Sequence, residues 1–145
     1  QSLVAIVFQS SVIPKLKQKT ISTDKETPFT EDELSKAITS LEKAMILGKE
    51  YCKPELSLKQ LAFKINIHPN RLSWLLNNHF GKNFNDFINQ YRIKEFQQLA
   101  ILPENKHITL LGLAYDSGFN SKTVFNTFFK KETGKTPKQW VKANS

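Results

Sequence analysis

The sequence holds a single cysteine, Cys52, among 145 residues. That excludes an internal disulfide framework and fits a reducing compartment. Cys52 reads as a packed or idle thiol rather than a nucleophile. The five glycines do not gather into a phosphate-cradling loop. His68, His79 and His107 are scattered, without the paired spacing or cysteine partners of a metal site. No Ser/His/Asp pattern can be defended. Without such a constellation no enzyme activity is expected, and no cofactor or metal. No apolar run reaches the roughly 20 residues that span a bilayer as a helix. No run after residue 14 reads as a strand, and there is no low-complexity segment. Acidic residues are few, 13 against 21 basic, giving a net charge of +8 and a pI near 9.6. That balance points to a polyanionic partner, nucleic acid first and an anionic membrane second.

What the chain does have is a pattern that occurs twice. Leu61, Ala62, Asn66 and Ile67 lie 52 positions before Leu113, Ala114, Gly118 and Phe119. Leu72 and Leu76 lie 52 before Val124 and Phe128, while Gly81, Lys82, Phe87 and Ile88 lie 53 before Gly134, Lys135, Trp140 and Val141. One residue inserted in the second copy accounts for the change. In each copy a cap residue, Ser57 or Thr109, opens a short apolar helical run. The run ends at a residue that tolerates a left-handed backbone, Asn66 or Gly118. An apolar plug follows, Ile67 or Phe119. A second helix then begins near His68-Pro69, or near Asn120-Ser121, where either residue suits a cap. Leu72, Leu75 and Leu76, and Val124, Phe125 and Phe128, are expected on the buried side of these second helices. Short helix, tight turn and second helix make a helix-turn-helix, whose second helix enters the DNA major groove.

The flanking stretches complete an all-α chain of about seven helices. Residues 1–29 read as an arm and polar linker. The apolar run Leu3 to Ile13 is either the end of a truncated transmembrane helix, with Lys15, Lys17 and Lys19 on its cytoplasmic side, or a strand or packing arm. Thr30 to Glu33 is a capping box. It opens a support helix with Leu34, Ile38, Leu41 and Met45 at helical spacing and an end near Gly48. The first unit has helices over Leu58 to Ile65 and Pro69 to His79. Asn83 or Asn85 caps a linker helix that reaches about Leu102 and stops at Pro103. Phe84, Phe87, Ile88, Tyr91, Phe96 and Leu99 mark its buried sides. The second unit has helices over Leu110 to Ser117 and Ser121 to Thr133, and Pro137 to Ala143 closes the chain on Trp140. The domain organisation is thus 1–29, then 30–102 with the support helix, first helix-turn-helix and linker helix, then 103–145 with the second.

Over the last 90 or so positions these residues closely resemble the AraC/XylS family of bacterial transcription regulators. The signature is Gly118-Phe119-x-Ser121-x3-Phe125-x3-Phe129-Lys130-Lys131-x2-Gly134-x-Thr136-Pro137. Leu113-Ala114 and Arg92-Ile93 fit as well. Phe96 departs from the family's usual small alanine, and Trp140-Val141 replaces a common Tyr-Arg ending. The resemblance implies two helix-turn-helix subdomains joined by one long helix, which presents both recognition helices to the same face of a duplex. Sequence-specific binding of double-stranded DNA and regulation of transcription are the implied function. RNA polymerase is a further partner that the resemblance admits. A sensory or dimerisation region usually precedes the DNA-binding part. The phrasing around Asn83 and Gly118 looks most like Bacteroidetes-type members, some of which carry transmembrane helices ahead of it. The DNA-binding part is expected in the cytoplasm, and the oligomeric state is left open.

Base contacts in that family come from the exposed side of each recognition helix near its N-terminus. The matching positions are Asn70, Arg71, Ser73 and Trp74 in the first unit, and Lys122, Thr123, Asn126 and Thr127 in the second. Asn suits adenine, Arg suits guanine, and threonine methyls suit thymine. Phosphate contacts position a protein without reading sequence. Their candidates are Lys82, Lys130, Lys131 and Lys135, with the helix N-termini at Ser57, Thr109 and Thr136. The rival is a helical protein-interaction module, which would need apolar recognition faces, whereas Asn70, Arg71, Ser73, Lys122, Thr123 and Asn126 are polar. RNA binding would usually show aromatic residues on a sheet face.

Overall fold

A computed structural model describes residues 27–145; the Leu3 to Ile13 run lies outside the described residues. The chain divides after Leu34. Before that division, Thr30 and Glu33 form the expected reciprocal cap. The Glu33 N–H donates to Thr30 Oγ1 at 3.1 Å and the Thr30 N–H to Glu33 Oε1 at 3.0 Å.

Among the described residues there are seven α-helices and no strand. They are α1 (Glu31–Ile46), α2 (Leu58–Lys64), α3 (Pro69–Asn78), α4 (Phe84–Ala100), α5 (Leu110–Asp116), α6 (Lys122–Thr133) and α7 (Pro137–Asn144). Short 3-10 turns sit at Glu50–Cys52 and Pro103–Asn105. The expected helices are all present, with ends moved by one or two residues. Local chemistry explains most of those ends. Ser57 makes a capping box with Gln60, Asn83 caps α4 through the Asp86 N–H, and Thr136 makes a box with Gln139. Pro69 and Pro137 stand in first turns, where their missing N–H costs nothing.

The two helix-turn-helix turns are built alike. Asn66 has φ 63° and Gly118 has φ 115°. In each, the following apolar residue returns its N–H to the helix before it, Ile67 to the Ala62 carbonyl at 3.0 Å and Phe119 to the Ala114 carbonyl at 3.1 Å. That closes the helix and turns the chain into the next one.

α4 belongs to both units. Phe87, near its start, packs on Phe80 at 5.2 Å between ring centroids, and Ile88 is buried beside it in sequence. Farther along, Ile93 and Phe96 enter the core of the second unit with Leu113, Ala114, Phe119, Phe125, Phe128 and Phe129. Phe96, the residue larger than the family's usual alanine, is fully buried there, 4.9 Å from Phe125 and 5.4 Å from Phe129 by ring centroids. Trp140 closes this cluster edge-on to Phe129. Ile93 is a core residue that the helical spacing did not single out.

One expectation is overturned. Val124 is 48% exposed, whereas Leu72, its partner at a separation of 52, is fully buried. The N-caps of α3 and α6, His68 and Ser121, are 53 apart. The inserted residue therefore lies in the turn before the second helix rather than after that helix. Counted from the caps, buried Leu72, Leu75 and Leu76 match buried Phe125, Phe128 and Phe129. A shift of one residue turns a helix by about 100°. That is enough to carry Val124 from the core to the surface.

Candidate nucleic-acid interface

The start of α3 is shaped by His68, whose Nδ1 accepts the Asn70 N–H at 3.1 Å. Asn70 is exposed, while Arg71, Ser73 and Trp74 are half-buried. Beyond them the Asn77 side chain donates to the Ser73 carbonyl at 2.9 Å, and the Asn78 side chain to the Trp74 carbonyl at 3.0 Å. At the start of α6, Ser121 Oγ accepts the Val124 N–H at 3.2 Å. Lys122, Thr123, Asn126 and Thr127 are all exposed.

Counting from the caps also re-pairs the two outward faces. Asn70 matches Thr123, Ser73 matches Asn126, Trp74 matches Thr127 and Asn77 matches Lys130. Arg71 matches Val124, so an apolar side chain stands in the second unit where the first carries a guanidinium. Sequence reasoning missed Val124 as a surface residue because it assigned the position to the core. The cap-to-cap distance was the signal available. Val124 borders a cleft of about 280 Å³ between the units, with Leu56, Phe84, Ile88, Arg92 and Phe119 on its walls.

The phosphate candidates fall into two groups. Lys130, Lys131 and Lys135 are exposed and Lys82 is half-buried. Lys131 Nζ lies 5.8 Å from the centre of the Phe128 ring, so its stem follows apolar surface while its charge stays outward. The Gly134 turn holds Lys135 by its backbone, whose N–H donates to Thr133 Oγ1 at 3.2 Å. The helix N-termini differ in what they can offer. At α7 the Thr136 and Gln139 N–H groups bond within the box and Pro137 has none, which leaves the Lys138 N–H. At α5, Thr109 Oγ1 engages the Gly112 N–H and leaves those of Leu110 and Leu111. At α2 the box engages the Ser57 and Gln60 N–H groups and leaves those of Leu58 and Lys59.

A polar knot lies at the turn before α2. Glu50 is buried, with Lys53 Nζ at 2.8 Å and Lys64 Nζ at 3.7 Å. The hydrogen bond from Lys53 holds its carboxyl below the ordinary range; the Lys53 and Lys64 charges add to that, and burial opposes it. Tyr51 donates its hydroxyl to Glu95 Oε1 at 3.2 Å. Burial, with the Glu95 charge, pushes the Tyr51 hydroxyl well up, so it stays a donor. Among the described residues no group of three or more His, Cys, Asp or Glu could hold a metal ion, and no helix is long and apolar enough to cross a membrane.

Known proteins share this arrangement. A family model described as a helix-turn-helix domain, of the AraC type, matches residues 61–143. The chain is 25% identical over 131 residues to an uncharacterized HTH-type transcriptional regulator in the cgkA 5′ region of Pseudoalteromonas carrageenovora, covering 90% of this chain and 75% of that one. A protein of unknown function from Listeria innocua has a similar structure, with a TM-score of 0.62 and 25% identity over 73% of this chain and 95% of that one. The C-terminal domain of the two-component response regulator yesN from Fusobacterium nucleatum is similar with a TM-score of 0.60 and 27% identity, over 72% of this chain and 97% of that one.

Proposed function

The chain belongs to the AraC-type helix-turn-helix family, and on that premise we propose that it works by inserting α3 and α6 into adjacent major-groove segments of one duplex. Its function is sequence-specific binding of DNA and regulation of transcription. The observation that carries the mechanism is the matched pair of capped second helices. Each has one face in a core; the opposite face carries exposed Asn70 with half-buried Arg71, Ser73 and Trp74 on α3, and exposed Lys122, Thr123, Asn126 and Thr127 around Val124 on α6. α4 spans roughly 26 Å at the usual rise. It joins units whose reading helices must sit about 34 Å apart to meet successive turns of the groove.

In this reading Asn70, Arg71, Ser73 and Trp74 meet one half-site and Lys122, Thr123, Asn126 and Thr127 the other. Lys82, Lys130, Lys131 and Lys135 hold phosphates, helped by the helix starts at Ser57, Thr109 and Thr136. Residues 30–102 and 103–145 act as two reading subdomains with α4 as their spacer. The DNA-binding body works in the cytoplasm, and a sensory or membrane region ahead of it supplies the signal.

The test is selection of duplexes from a random pool, followed by affinity measured against salt on the selected site. Counterion release makes the logarithm of affinity fall steeply with the logarithm of salt concentration. Failure to select any sequence, or a flat salt profile, would remove the proposal.

A further inference from the structure

Arg92 is where three parts of the molecule meet. It lies on α4, midway between the two units. Its Nε donates to the Tyr51 carbonyl at 2.7 Å and its Nη2 to the Lys53 carbonyl at 2.9 Å, across 41 and 39 positions of sequence. Its Nη1 donates to Asn89 Oδ1 at 3.2 Å, one turn back on the same helix. The guanidinium carbon sits 5.9 Å from the centre of the Phe119 ring, the plug of the second helix-turn-helix. Gly118, beside that plug, is equally confined. A Cβ there would drive into the Tyr51 carbonyl and come within 2.7 Å of Arg92 Nε and 3.0 Å of Cys52 Cα. The turn leading into the first unit, the linker helix and the second unit's turn thus close on one planar cation.

We propose that Arg92 is a positioning residue that sets the angle and distance between the two recognition helices, and so the half-site spacing this chain accepts. The proposal rests on the two-groove reading above. The physical reason lies in the geometry of the guanidinium. It is a rigid fork with donors in several fixed directions, and here it answers two backbone carbonyls and a side-chain oxygen at once. A helix alone can bend or roll against its neighbours. Here the 51–53 turn is held by hydrogen bonds on one side and packs against the Gly118 backbone on the other. Rolling the second unit about α4 would force Gly118 against the Tyr51 carbonyl that Arg92 holds in place, or draw the Phe119 ring away from the guanidinium. Lysine keeps the charge but has one nitrogen on a flexible stem, and cannot hold both carbonyls and Asn89 in one arrangement.

The experiment uses the full chain and the duplex that the wild type selects from a random pool. Affinity is measured on that duplex, on versions with one or two base pairs inserted or removed between the half-sites, and on a duplex keeping one half-site. One base pair moves a half-site by about 3.4 Å and turns it by about 35°. Wild type is expected to lose on the order of tenfold or more in affinity per base pair of misplacement. In Arg92→Lys and Arg92→Ala that penalty shrinks several-fold, while affinity for the single half-site stays as in wild type. If both folded variants weaken binding to every duplex alike and keep the wild-type spacing penalty, Arg92 is merely structural and the proposal is overturned. Should Arg92→Ala not fold, Arg92→Lys decides between the same two outcomes. If the wild type selects no duplex at all, the DNA reading itself fails and takes this one with it. A wild type that binds with an unchanged penalty in the variants defeats only the positioning role.

Discussion

Leu72 and Phe125 each lie four residues after the N-cap of a recognition helix, and both are buried, at 0% and 2% exposure. They mark the true register of the duplication. Everything on the opposite faces of α3 and α6 is set by that pairing, including the four side chains of each helix that we assign to bases.

The assignment makes separable claims about reading and holding. Lys122→Ala or Asn126→Ala should cost roughly 1–3 kcal/mol on the selected site and relax the preference at one base pair. Lys131→Ala should weaken selected and random duplexes by a similar factor and lower the salt slope by about one. Titrations on both kinds of duplex check this. Equal losses on both for all three variants would dissolve the division.

Val124 and Phe125 are neighbours with opposite expected phenotypes. Phe125→Ala should destabilise the fold by about 3–5 kcal/mol, the range for deleting a buried phenyl group. Val124→Ala should stay within about 0.5 kcal/mol, as an exposed site does. If Val124 meets a thymine methyl, wild type should lose affinity when one thymine of the second half-site is replaced by deoxyuridine. Val124→Ala should be indifferent to that change. Urea unfolding and binding to the substituted duplex measure the two halves of the prediction.

Gly118 and Gly134 both hold positive φ, 115° and 80°, but only Gly118 has close neighbours. Gly134→Ala meets open space and should cost about 1–2 kcal/mol for the backbone conformation alone. Gly118→Ala should cost clearly more, because its Cβ also meets the Tyr51 carbonyl and Arg92. Equal denaturation midpoints for the two variants would contradict the close approach at Gly118.

Glu50 ties stability to pH. Its folded carboxyl titrates below the ordinary 4.5 because Lys53 donates to it and the Lys53 and Lys64 charges favour the anion. A depressed folded value means the unfolded chain takes up the proton first. The stabilisation is therefore present above 4.5 and is lost as pH falls through the lower folded value. Glu50→Gln should be less stable than wild type at pH 7, and the gap should close on acidification. Thermal unfolding of both proteins between pH 7 and pH 3 measures it; a gap independent of pH would mean the carboxylate charge is not what Lys53 and Lys64 stabilise.

Local chemistry made most of the fold legible in the chain. The caps at Thr30, Ser57, Asn83, Thr109, Ser121 and Thr136 bond to residues three positions on, and the left-handed turn at Asn66 is closed by its own neighbours. Such features are written within a few residues, and so were the seven helices and the doubled unit. The register slip between Leu72 and Val124 came from aligning apolar residues by type, when one extra residue in the turn before α6 had rotated the helix. Valine is as apolar as leucine, so residue type alone does not tell which of Val124 and Phe125 points inward; the spacing of the caps and the burial both select Phe125.

The amino-acid sequence alone determined that the described residues form helices without a strand and hold two copies of one turn, because hydrogen bonds of short range and the spacing of apolar residues decide helices and their ends. The tertiary structure decided which face of α6 is open, that Phe96 fills the second core, and that Arg92 meets Tyr51 and Lys53 across some forty positions. Those depend on packing between helices distant in sequence, where a turn of about 100° per residue converts a single inserted position into a different surface.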